Sequence, residues 1–90
     1  MKKRYYVIFK GQVQGVGFRF TIMLKAKELN IGGSVKNLIN GDVECYFEGE
    51  ENSLKTMLRF IRSNPGFIHI DDYQIKEVAI QNDNDFIIIY

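Results

Sequence analysis

The hydrophobic period of the chain switches back and forth between two and 3.6 along its 90 residues, and the order of those switches narrows the folds open to it. Tyr5 to Lys10 is rich in aromatic and β-branched residues and reads as a first strand ending at Gly11. Phe18, Ile22, Ala26 and Leu29 then fall on one helical face, with Lys25, Lys27 and Glu28 off that stripe and facing water. Asn30-Ile31-Gly32-Gly33 stops this helix. Ser34 to Leu38 reads as a second strand. Asn40-Gly41 predicts a type I′ hairpin turn with positive φ at both residues. Val43, Cys45 and Phe47 alternate with Glu44, Tyr46 and Glu48, a third strand with one buried face. Leu54, Met57, Leu58 and Ile61 stripe a second helix, capped by Asn52 or Ser53 and ended by Pro65-Gly66. A fourth strand lies within Ile68 to Ile80, with Tyr73, Ile75, Val78 and Ile80 as core candidates. The change of phase between Ile75 and Val78 predicts an irregularity there. After the polar turn of Gln81 to Asp85, Phe86 to Tyr90 forms a last strand. The order β-α-β-β-α-β plus one strand predicts an α+β, ferredoxin-like split βαβ sandwich: a mostly antiparallel five-stranded sheet with two helices on one face. Residues 1–90 suit one domain.

Composition restricts function before any motif does. The formal net charge is +1 and the longest basic run is Lys2-Lys3-Arg4, so no strong field attracts nucleic acid or a membrane surface. No apolar stretch approaches the ~18 residues of a membrane span. Tyr5 to Phe9 is too short for a signal-peptide core. The single Cys45 cannot form an internal disulfide, which favours a reducing, cytoplasmic setting. A monomer is the default expectation.

The segment Gly11-Gln12-Val13-Gln14-Gly15-Val16-Gly17-Phe18-Arg19 joins the first strand to the first helix. N–H groups at a helix start lack internal partners and carry partial positive charge. Gly15 and Gly17 let the backbone turn sharply, so the amides of Gln14, Gly15, Val16, Gly17, Phe18 and Arg19 can form a concave ring suited to phosphate. Arg19, in the first helical turn, can grip two phosphate oxygens with its planar guanidinium. The glycine spacing by itself favours a plainer reading, an ordinary turn beside a solvated Arg19. A Walker A loop is excluded because no Gly-Lys-Ser/Thr follows, and Phe20 breaks the dinucleotide fingerprint.

The whole nine-residue string is more specific than its glycines. It resembles the acylphosphatase family, whose G-x-V-Q-G-V-G-F-R signature matches Gly11 to Arg19 at every fixed position. That family's second signature, G-x-V-x-N, is matched by Gly33-Ser34-Val35-Lys36-Asn37. The resemblance extends over essentially the whole chain, although Ser34 stands where a large aromatic is common and Ile22 is bulkier and less polar than in many relatives. It implies metal-free hydrolysis of a small-molecule acyl phosphate to carboxylate and inorganic phosphate, without a cofactor. It further implies that Arg19 binds the phosphate and Asn37 orients the attacking water. The physics agrees: Arg stays charged at any working pH, and Asn can aim a water without bringing negative charge near the phosphate. For Asn37 alone, a strand-end residue bonding its own backbone is the simpler reading.

Other residues carry weaker signals. His69 has no second His or Cys at ligand spacing, so no metal site is expected. Asp71-Asp72 reads as the end of a loop, Cys45 as a core residue, and Lys10 and Lys36 as solvated charges. RNA-recognition domains share this element order and stack bases on aromatics of strands one and three, where Tyr5, Tyr6, Tyr46 and Phe47 stand. The third strand, however, lacks the basic start and Gly-Phe pattern of such modules.

Overall fold

The computed structural model describes residues 1–15, 17–66 and 68–90. Val16, assigned above to the phosphate ring, lies outside the described residues, as does Phe67. The elements run β1 (Lys2–Gln12), α1 (Phe18–Glu28), β2 (Gly32–Asn37), β3 (Val43–Glu50), α2 (Glu51–Arg62), β4 (His69–Val78) and β5 (Phe86–Ile89). The five strands form one sheet in the order β4-β1-β3-β2-β5. Three neighbouring pairs are antiparallel and only β2 and β5 are parallel. This is the expected split βαβ arrangement, with α1 against β2 and β5 and α2 against β3.

Strand alternation decides what each face carries. Val7 and Phe9 of β1, Val35 of β2, Val43, Cys45 and Phe47 of β3, and Phe86 of β5 turn toward the helices and are buried. They meet Phe18, Ile22 and Ala26 of α1 and Leu54, Met57 and Ile61 of α2, the predicted stripes. At ~25 cal/mol per Å² of apolar surface removed from water, this core is the main stabilising term. Asn37 is two residues beyond Val35. The alternation therefore puts it on the helix side of the sheet, at the end of β2.

Six details differ from the sequence reading. Of Asn40 and Gly41, only Gly41 has positive φ (98°). The Leu38 amide bonds the Asp42 carbonyl and the Gly41 amide bonds the Leu38 carbonyl, so Ile39-Asn40-Gly41 is a three-residue loop rather than a type I′ turn. The cap of α2 is neither Asn52 nor Ser53. β3 runs straight into the helix, Glu50 occupies the cap in an extended conformation, and the Glu51 amide bonds the Met1 carbonyl.

Ile75 and Ile80 are 44% and 43% exposed rather than core residues. Ile75 is on β4, an edge strand paired only with β1, and Ile80 lies past the end of that strand at Val78. The irregularity of β4 sits at Asp71, which is left out where the register with β1 slips between Lys10 and Gly11; Asp71 and Asp72 lie inside the strand, not at a loop end.

The largest difference concerns Glu48, which shares the outer face with Glu44 and Tyr46 yet is only 1% exposed. The β4–β5 connection crosses that face and encloses it. Glu48 accepts hydrogen bonds from Arg4 Nη1 at 3.0 Å, from the Gln81 amide at 2.8 Å and from the Asp83 amide at 3.1 Å. Arg4, itself 4% exposed, also reaches Asp83 Oδ2 at 2.7 Å.

Candidate active site

The loop between β1 and α1 turns on two left-handed glycines, Gly15 (φ 75°) and Gly17 (φ 76°, ψ 17°). A side chain at either position would be strained by that φ, while the space a Cβ would occupy is open. Gly17 is the helix cap, and its carbonyl accepts the first helical bond from Thr21. Among the described residues, the amides of Gly15, Gly17, Phe18 and Arg19 have no hydrogen-bond acceptor. The first turn of α1 contains no acidic residue, while its last turn carries Lys25 and Lys27. Nothing among those residues neutralises the positive end of the helix dipole.

A cavity of about 180 Å³ opens at this helix start. Among the described residues it is lined by Val13, Gln14, Gly15, Gly17, Phe18, Arg19, Phe20, Asn37, Ile88 and Tyr90. Arg19 and Asn37, distant in sequence, thus share one cavity. Arg19 is partly exposed, and its Cζ stands 5.1 Å from the centre of the Tyr90 ring. The aromatic face steadies the guanidinium without occupying its N–H donors. Asn37 Oδ1 is buried and meets no donor among the described residues. Among those residues, Arg19 is the one charged side chain in the lining.

Contacts around the cavity hold this geometry. The Gln14 side chain is a tie rather than a ligand: its Nε2 donates to the Leu38 and Asp42 carbonyls at 2.8 and 2.7 Å. Lys10, expected to be solvated, bonds Asp42 Oδ2 at 2.7 Å across the same junction. Gly33, the first residue of the second signature, has no room for a Cβ, which would stand 1.9 Å from the Tyr46 carbonyl oxygen.

A family model described as Acylphosphatase matches residues 5–88. The chain belongs to the acylphosphatase family. An acylphosphatase of Clostridium beijerinckii is 39% identical over 77 residues, covering 86% of each chain. The crystal structure of the acylphosphatase from Bacillus subtilis superposes with a TM-score of 0.93 at 33% identity, covering 100% of both chains. The same fold matches 12% of a full-length HypF, determined in a phosphate- and nucleotide-bound form, at 32% identity and a TM-score of 0.93. Membership in the acylphosphatase family supports hydrolysis of acyl phosphates as the activity.

Sequence reasoning missed the side of the cavity formed by Phe20, Ile88 and Tyr90. One signal was available, the alternation of Phe86, Ile88 and Tyr90 along the last strand. Its meaning depended on β5 pairing parallel to β2, where Lys36 stands opposite Ile89 and Asn37 is the next residue. The aromatics weighed for base stacking lie elsewhere. Tyr6 and Tyr46 pack 4.9 Å apart on the outer face, and the Tyr6 hydroxyl donates to Glu44 at 2.7 Å. That bond, with burial, pushes the Tyr6 phenol up to about 12. A carboxylate beside the rings repels a nucleic-acid backbone.

Proposed function

We propose that this chain hydrolyses acyl phosphates at the α1 cavity. The phosphoryl group is held by Arg19 and the main-chain amides from Gln14 to Arg19, including Val16 by its place in the sequence. Asn37 orients the attacking water. The observation that carries this reading is the convergence of Arg19 and Asn37 on one cavity at an uncompensated helix start.

The chemistry asks little of the protein. The water oxygen bonds to phosphorus while the bond from phosphorus to the acyl oxygen breaks. The bonding pair leaves with the carboxylate, and the water's proton passes to phosphate or solvent. A carboxylate with a pKa of about 4 departs without protonation, so no general acid is needed. Positioning and charge stabilisation around a loose transition state supply the rest. In this reading the guanidinium and main-chain N–H groups stabilise the charge on the equatorial oxygens. The Asn37 amide oxygen has no donor among the described residues, and the O–H of the attacking water would satisfy it.

The test is hydrolysis of benzoyl phosphate in excess chelator, wild type beside Arg19→Ala and Asn37→Ala. Activity that disappears on chelation, or folded variants as fast as wild type, contradicts the proposal.

A further inference from the structure

The cavity has two unlike kinds of lining. Gly15, Gly17, Arg19 and Asn37 are polar or cationic. Phe20, Ile88 and Tyr90 bring apolar surface to the same cavity, with the Tyr90 ring against the Arg19 guanidinium. Phe20 is 56% exposed and Tyr90 is 93% exposed, so neither ring is accounted for by the core. Phe20 has a specific reason to face the ligand. Helical side chains lean toward the helix N-terminus, so a residue in the first turn covers surface beyond the helix start. In α1 that surface is the mouth of the anion cradle. An acyl phosphate is equally two-sided, a phosphate dianion joined to a carbon group.

We propose that Phe20 is the specificity-determining residue for the acyl half of the substrate, with Ile88 and the edge of Tyr90 completing an apolar rim that favours aromatic or bulky acyl groups over acetyl. This rests on the proposed placement of the phosphoryl group in the cradle. With that group beside Arg19, the acyl carbon points out of the cavity, where the exposed apolar surface is Phe20 and its neighbours. An aryl acyl group can then take an offset-stacked or edge-to-face position against the Phe20 ring.

The experiment compares wild type, Phe20→Leu and Phe20→Ala by two readouts. The first is kcat/KM for benzoyl and acetyl phosphate. The second is the Kd of benzoylphosphonate and acetylphosphonate, which bind without turning over. Phe20→Ala is expected to lower the benzoyl-to-acetyl preference about tenfold in both readouts, with Phe20→Leu in between. An unchanged ratio, with folding confirmed by thermal melting, overturns the proposal. If wild type binds both phosphonates yet hydrolyses neither acyl phosphate, the hydrolytic reading fails while the phosphonate ratio still decides the role of Phe20. If it binds neither phosphonate, both fail.

Discussion

The side-chain amide of Gln14 donates to the carbonyl of Leu38 at 2.8 Å, which ties the cradle loop to the residue that follows Asn37. The second bond, to Asp42, closes the tie on the other arm of the β2–β3 hairpin. The two halves of the site are thereby held at a set separation. Gln14→Ala removes two bonds whose acceptor carbonyls each keep a main-chain donor, and should cost about 0.5–1.5 kcal/mol. Turnover at 25 °C should fall roughly tenfold, since small misplacements at a preorganised site are expensive. Gln14→Glu should be worse than Gln14→Ala, because a carboxylate would face two carbonyl oxygens with no proton to donate. Thermal melting and steady-state kinetics on both variants check this.

Arg19 and Asn37 should separate in their effects. Arg19→Ala removes the charge that attracts phosphate, so both turnover and inhibition by inorganic phosphate should weaken. Arg19→Lys should recover little, since a single ammonium replaces a planar fork. Asn37→Ala should lower kcat at least ~10²-fold, by analogy with loss of one preorganised donor. Its inhibition by phosphate should weaken far less than in Arg19→Ala. Equal loss of phosphate inhibition in both variants contradicts the division of roles.

Glu48 should govern the acid limb of stability. Burial pushes its carboxyl up, but the Gln81 amide and the Arg4 guanidinium outweigh burial and hold it below the ordinary 4.5. A group whose folded value lies below its unfolded value contributes stability that is present above about pH 4.5. That contribution is lost as pH falls through the folded value. Urea melts from pH 7 to pH 2 should therefore show a loss below about pH 4.5 that is smaller in Glu48→Gln.

At neutral pH, Glu48→Ala should cost about 1–3 kcal/mol for each of the two amides it leaves without an acceptor, while Arg4 keeps its bond to Asp83. The double change Arg4→Met with Glu48→Leu should not restore wild-type stability. It removes both charges but still leaves the Gln81 and Asp83 amides without their acceptor. Full recovery in the double variant would show that the carboxylate serves Arg4 alone.

Cys45 is fully buried between Val43 and Phe47, and burial pushes its thiol well above the ordinary value. A thiol reagent at pH 8 should label it only as fast as the domain unfolds. Labelling rates should rise with urea in step with unfolding measured by circular dichroism. Rapid labelling of the native protein contradicts this burial.

Much of the fold was legible because local pattern and tertiary packing agree. The stripe of Phe18, Ile22 and Ala26 and the alternation of Val43, Cys45 and Phe47 each report one buried face. Arg19 and Asn37 were legible as motif positions, though their convergence depends on β2 ending beside the start of α1. What stayed hidden depends on contacts distant in sequence. Glu48 reads as a surface residue until the 81–83 segment covers it. Ile75 reads as core until β4 is known to be an edge strand. Tyr90 reads as the end of a sticky strand until parallel pairing sets it beside Asn37. The Asn40-Gly41 turn failed for a local reason: a three-residue loop needs positive φ only at its last residue.

The most direct measurement is hydrolysis of benzoyl phosphate in ¹⁸O-labelled water with excess chelator, wild type beside Asn37→Ala. Steering of water onto phosphorus at the cradle predicts rapid turnover by wild type, the label in inorganic phosphate, and a rate at least ~10²-fold lower in the folded variant. Label in benzoate, or an Asn37→Ala rate close to wild type, would contradict it.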